Sequence, residues 1–309
     1  MKIEHLYYFL VIANTKSINK AACKLYLSQQ HLSRIVTNLE NELHIQLLKR
    51  SPAGIELTEK GEVFSQFAEK IVNDYREMQT HFYLDALPTL DQQEVCGTCQ
   101  IAFPFFFSLF LNDFIQKLNT TYPDIHIRCF EGAEQASLEE LTQSNMLHVI
   151  VGTIEQEQEL LNEKSKLTSY YIGETGASFC IHRSSALANK SVLTKKDVDT
   201  QLQTCYPKNN WNSNVLTTGN ILFTSSNIYQ HLDSVVHNKS ICVVPNYIHS
   251  GINKTYPDIK LIPYERQFSI PMYIFHSSQL TLNTAEKAVI RFVAQYIQNL
   301  NQLDEPCLC

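Results

Sequence analysis

The chain has 309 residues, 44% hydrophobic and 18% charged, with only nine glycines and ten prolines. At about 100–200 residues per domain this is material for two or three packed domains, and it excludes a disordered, collagen-like or low-complexity chain. The net charge of −6 hides an asymmetry, because residues 1–58 carry seven Lys/Arg against four acids and the remainder is strongly acidic. A basic head on an acidic body fits a small module that meets phosphate beside a larger one that does not.

Leu6 to Ala13 is an apolar run behind Lys2, as in a signal peptide. Glu4 stands where a basic region belongs, however, and no small-x-small cleavage site follows. The run is read as the core face of a first helix, about Ile3 to Asn14, with Leu6, Phe9, Leu10 and Ala13 at three- and four-residue spacing. No apolar run reaches the ~18 residues of a membrane span. A cytoplasmic protein with mostly reduced cysteines is expected.

Ser17 can cap a second helix that turns Ile18, Ala21, Ala22 and Leu25 inward. Tyr26-Leu27 is a short turn. Ser28 can cap a third helix whose buried stripe is Leu32, Val36 and Leu39. Its other face presents Gln29, Gln30, Ser33, Arg34 and Thr37. Two short capped helices joined by a tight turn are a helix-turn-helix signature. Gln can pair with adenine, Arg with guanine and Ser with either; the same face would also serve as a plain solvated surface. Lys49-Arg50-Ser51-Pro52-Ala53-Gly54 and Ile55-Glu56-Leu57 then read as a β-hairpin wing with cations at its tip, suited to phosphate.

These residues resemble the LysR-type transcriptional regulators. The resemblance runs through SINKAACKLYLSQQHLSRIVTNLENELHIQLLKR and then GIELTEKGE, without a gap. It implies a winged helix-turn-helix over 1–58 whose third helix enters the major groove. Gln29, Gln30, Ser33, Arg34 and Thr37 would lie near bases or phosphates, with Arg50 at the wing. Ser28 and Lys49 complete the candidate DNA-binding set. Two positions depart from the family: Gln30 replaces a usual Pro, and Ile35 a polar residue. Ile35 is expected either in the core or against a thymine methyl.

Thr58 can cap a long helix to about Leu84, with Val63, Phe64, Phe67, Ile71, Tyr75, Met78 and Phe82 at mostly four-residue intervals. Such a stripe suggests helix pairing, and the resemblance implies the same for a linker over 59–90; packing on its own body is the alternative. Asp85 to Glu94 reads as a hinge. The body, 91–309, alternates strands and helices: strands at 99–103, 125–130 and 147–151, then at 170–173, 179–182, 221–224 and 241–244. That order implies parallel sheets. Tyr122-Pro123-Asp124-Ile125, His148 to Gly152 and Ser240 to Pro245 resemble the LysR-type effector domain. The fold class is therefore mixed α/β, with a two-lobed body like a periplasmic solute-binding protein. Lobe I is expected over 95–162 and 268–309, lobe II over 163–267.

Ligands of open α/β sheets collect beyond the carboxyl ends of strands. Candidate effector contacts are Phe103, Pro104, Phe105 and Ser108 in one loop, then Thr153, Ser225, Ser226, Asn227 and Pro245. The family usually has a hydroxyl after the first strand, whereas this chain reads Phe103-Pro104-Phe105-Phe106-Phe107. These aromatics line an apolar pocket, fill the cleft, or belong to the core.

Cys96-Gly97-Thr98-Cys99 and Cys307-Leu308-Cys309 are close pairs, but zinc wants four ligands and no compact knuckle is present. No metal and no cofactor are expected. Cys180 and Cys205 lie in the expected lobe II, where some relatives sense oxidants, yet no basic cluster adjoins them. There is no phosphate loop, Gly-x-Gly-x-x-Gly or Gly-x-Ser-x-Gly, so an enzyme is not expected. The expected partners are double-stranded DNA with an inverted repeat, a small-molecule effector of unknown identity, and further copies as a homodimer or homotetramer. The competing readings are a cytoplasmic small-molecule binding protein without DNA function and a cysteine-based redox regulator.

Overall fold

The computed structural model describes residues 1–25, 27–51, 54–86, 95–133, 136–152, 166–206, 220–265 and 270–304. Tyr26, Pro52, Ala53, hinge residues 87–94, Thr153, Cys307, Cys309 and the side chain of Arg50 lie outside the described residues. The chain forms two compact units, one built on Met1–Phe82 and one on Tyr83–Thr153 with Glu163–Cys309.

The first unit starts with α1 (Ile3–Thr15), α2 (Ile18–Leu25) and α3 (Gln29–Leu43). Strands β1 (Leu48–Ser51) and β2 (Gly54–Leu57) form the antiparallel wing, and α4 (Glu59–Ala86) follows. The serine caps form as expected: Lys20 N–H donates to Ser17 at 3.3 Å and His31 N–H to Ser28 at 3.2 Å. Thr58 Oγ1 accepts from Gly61 N–H at 2.9 Å and starts α4.

The apolar run of α1 is explained by two cores. Phe9, Val11 and Ile12 pack with Ala21, Ala22, Leu32, Ile35, Val36, Leu39 and Leu47. Leu6 and Leu10 pack on Ala68 and Val72 of α4. A helix that meets partners on two sides needs apolar residues nearly all round. Ala13, expected in the core, is only half-buried; Val11 and Ile12 take that place.

The second unit contains β3 (Gly97–Phe103), α5 (Leu111–Thr121), β4 (Ile125–Glu131), α6 (Leu138–Gln143) and β5 (Leu147–Val151). Then come β6 (Leu167–Thr175), β7 (Ala177–His182), α7 (Lys195–Asp199), β8 (Gln203–Cys205) and β9 (Ile221–Thr224). The rest is α8 (Ile228–Val236), β10 (Ile241–Pro245), α9 (His249–Thr255), β11 (Ile259–Pro263), β12 (Ile270–Ser277) and α10 (Thr284–Asp304). Two five-stranded sheets result, ordered β4-β3-β5-β12-β6 and β11-β7-β10-β8-β9. These sheets are the two lobes.

Two expectations change here. The sheets are mixed rather than parallel. In each, three strands run parallel (β4, β3, β5 and β9, β8, β10) and the others join antiparallel. Residues 167–175, placed in lobe II by the sequence reading, pair along the whole of β12 in the first sheet. The chain therefore reaches the second sheet only at β7, past Gly176.

Candidate nucleic-acid interface

Helix α3 has two unlike faces. Leu32, Ile35, Val36 and Leu39 are buried, so Ile35 belongs to the core and is not available to a thymine methyl. Opposite them Ser28, Gln29, Gln30, Arg34 and Thr37 are exposed and Ser33 is half-buried. Gln29, Gln30, Ser33, Arg34 and Thr37 line one shallow concavity. The amides of Gln29 and Gln30 and the guanidinium of Arg34 are thereby presented together, the groups that pair with adenine and guanine edges. Two of the predicted contacts hold local structure as well. Ser28 caps the helix, and Thr37 donates its hydroxyl to the Ser33 carbonyl at 3.0 Å. Exposed Asn41, missed in the sequence reading, continues the row one turn beyond Thr37; its four-residue offset from Thr37 was the available signal.

The wing is held from two sides, by α3 and by the end of α1. Glu40 accepts from Leu47 N–H at 2.7 Å and Leu48 N–H at 3.1 Å, tying the root of β1 to α3. Ile55 N–H donates to the Lys16 carbonyl at 3.0 Å. Gly54 permits that approach: its φ is +121°, and a Cβ there would lie 2.7 Å from the Lys16 oxygen. Lys49 pairs across the hairpin with Glu56, Nζ to carboxylate 3.5 Å, and both stay exposed. Its charge is available to phosphate at modest cost, because an exposed ion pair is weak. The sequence reading quoted Glu40 without a role, since its contacts close a turn that no local pattern announces.

In the second unit, the candidate effector contacts come from the carboxyl ends of the parallel strands. Phe103 ends β3, Pro104 follows, and Phe105–Leu109 form a 3-10 turn where a loop was expected. Phe103, Pro104, Phe105 and Pro245 are buried, Ser108 and Ser225 half-buried, and Ser226 and Asn227 exposed. Asn227 caps α8 through Tyr229 N–H at 2.9 Å. Phe103 stacks on Phe107 at 4.2 Å between ring centroids, inside lobe I. Phe105 and Phe106 instead reach Tyr206, which follows β8 in lobe II, at 5.0 and 4.6 Å. Tyr206 was absent from the expected set because β8 is three residues long and carries no alternation.

Residues 3–62 match the family described as "Bacterial regulatory helix-turn-helix protein, lysR family". The head is a lysR-family helix-turn-helix domain. Among relatives, the HTH-type transcriptional regulator BenM of Acinetobacter baylyi is 32% identical over 148 residues, 47% of this chain and 46% of that protein. The HTH-type transcriptional regulator BsdA of Bacillus subtilis is 30% identical over 156 residues, 50% and 51% of the two chains. The chain thus spans about half the length of the curated relatives it matches. Similarity in fold extends further. The oxidized form of Corynebacterium glutamicum OxyR covers 98% of this chain with 93% of its own, at TM-score 0.55 and 16% identity. Full-length BenM covers 97% with 98% of its own, at TM-score 0.51 and 21% identity. The mixed α/β fold, lysR-family head plus two-sheet body, is that of these regulators.

Behind the lysR-family head, Cys99, Cys180, Cys205 and Cys242 are packed as buried apolar groups. Cys180 and Cys242 face each other across β7 and β10, both fully buried. Burial pushes the thiols of Cys99, Cys180 and Cys205 up, which keeps them protonated and unreactive. Cys96 is exposed while Cys99 is buried. Among the described residues no group of three or more His, Cys, Asp or Glu is placed to hold a metal ion, and no helix is long and apolar enough to cross a membrane.

Proposed function

We propose that this chain is a sequence-specific DNA-binding transcriptional regulator of the LysR type, acting in the cytoplasm, and neither an enzyme nor a ligand carrier without DNA function. The observation that carries the reading is the single concavity lined by Gln29, Gln30, Ser33, Arg34 and Thr37 on a lysR-family head. Ser28 at the start of α3 and Lys49 on the wing are its phosphate contacts, and the sequence reading adds Arg50 from the wing.

Two copies pair through α4. Its Phe64, Ala68 and Val72 side packs on α1. Val63, Phe67, Ile71, Tyr75, Met78 and Phe82 remain exposed, Phe67 at 63% and Phe82 at 65%. A solvent-facing apolar stripe of this length is costly in one chain and is covered by a second copy. Paired heads read an inverted repeat whose half-sites follow the two-fold axis, and pairs of dimers give a tetramer. The two-lobed body is the regulatory half, and Ser225, Ser226 and Asn227, beyond the carboxyl end of β9, are its polar contacts for a small-molecule effector.

The test is titration of the intact protein against an inverted-repeat duplex, a scrambled duplex and heparin at two salt concentrations. Binding that weakens steeply with salt, with preference for the repeat, is expected. A chain that leaves all three polyanions unbound at low salt contradicts the reading.

A further inference from the structure

Aromatic side chains contributed by the two lobes meet one another. Phe105 and Phe106 are contributed by the turn after β3 in lobe I, and Tyr206 by the end of β8 in lobe II. Phe105 stacks on Tyr206 at an interplanar angle of 19°, and Phe106 meets the same ring edge-on at 61°. The three are 2%, 1% and 4% exposed. The far side of Tyr206 is closed by His231, 4.1 Å between ring centroids. His231 is itself fixed by Thr204 Oγ1 at 2.6 Å and the Ser225 carbonyl at 2.8 Å. Burial lowers the His231 pKa, so it packs as a neutral ring. Two further contacts cross between lobes beside the stack. Tyr229 donates its hydroxyl to the Ser108 carbonyl at 3.3 Å. Phe110 lies so close over Gly251 that a Cβ there would meet its ring at 2.8 Å.

We infer that Phe105, Phe106 and Tyr206 form an aromatic latch, an internal ligand that holds the two lobes closed as the resting state. A small molecule entering between these side chains must displace a ring, and apart from the Tyr206 hydroxyl, buried without a hydrogen-bond partner among the described residues, the three offer a small carboxylate only apolar surface. The flat faces match in shape and the rings exclude water, which favours ring-for-ring exchange. This goes beyond the DNA-binding reading, and its test reads the lobes alone.

The test compares Phe106→Ala with Phe114→Ala in the full chain. Phe114 is equally buried but packs only within lobe I, on Phe103, Phe107, Phe292 and Tyr296. Both variants should lose Tm on the order of 10 °C, as expected for a buried Phe cavity. Only Phe106→Ala should speed amide hydrogen exchange in lobe II, at 225–230 and 246–248. Benzene at millimolar concentration should restore that protection and raise Tm by a few degrees, since it fills the vacated ring site. Tyr206→Leu, which keeps apolar volume but loses the stack, is the milder variant should Phe106→Ala not fold, and should speed exchange across the stack in lobe I, at 105–109. Exchange that rises only in the lobe carrying the replaced residue would overturn the latch. So would a wild-type protein that succinate at millimolar concentration protects across 225–230 and 246–248, since a purely polar solute would then enter with no ring to exchange.

Discussion

Arg34 and Lys49 should fail in different ways, because one can read a base and the other can meet only phosphate. Arg34→Ala is expected to cost about 1–3 kcal/mol on the cognate duplex and little on a scrambled one. Lys49→Ala should weaken both duplexes alike and flatten the slope of log affinity against log salt by about one. Fluorescence anisotropy on the two duplexes at several salt concentrations separates them; equal loss on both duplexes for Arg34→Ala would remove its base-reading role. Gly54→Ala should destabilise the head, since the left-handed backbone and the Lys16 carbonyl at 2.7 Å both oppose a Cβ. A lowered Tm of the isolated unfolding transition of the head measures it. At this scale the sequence was informative wherever a residue acts through helical period, as for Gln30, Arg34 and Thr37. It was silent where a residue acts through space: Glu40 clamps a turn seven residues away, and Tyr206 gains its neighbours from the other lobe.

At the scale of elements, α4 is the most consequential. Its apolar repeat divides into a row that packs on α1 and a row that stays exposed, a division visible in sequence only as one broad stripe. Phe67→Glu should leave the head folded, because Phe67 is 63% exposed, and should convert dimers to monomers in sedimentation velocity. An unchanged sedimentation coefficient would assign pairing elsewhere. The helices of the head and α4 were legible from spacing and caps, whereas α9 was not read at all. Strands β8, β11 and β12 were not, because β8 is too short for a pattern and β12 is buried on both faces, so no alternation marks it. β6 was seen as a strand but assigned to the wrong lobe. Strand pairing across about a hundred residues has no local signature, and the antiparallel β12 captures β6 into the first sheet.

At the scale of the whole molecule, two buried histidines contribute to the response to acid. Burial lowers His148 from its usual 6.5 to about 4, and His249 likewise. Both stay neutral in the fold, so between those two pH values the unfolded chain binds protons that the native chain refuses. Their contribution is fully present above pH 6.5 and is lost as pH falls toward 4, by up to about 1.4 kcal/mol per pH unit for each histidine. His148→Gln, which can keep the hydrogen bond to Ser144, should give a shallower fall of Tm between those limits; an unchanged slope would mean that His148 titrates normally. The same scale holds the charge asymmetry, a basic head in an acidic chain, which would confine recognition of a polyanion to one small unit. The most direct test is selection of bound duplexes from a random DNA library with the intact protein. The expected result is an enriched inverted repeat, half-sites a whole number of helical turns apart, lost with Arg34→Ala. Recovery of no common sequence, or of a single asymmetric half-site, would contradict recognition by paired heads.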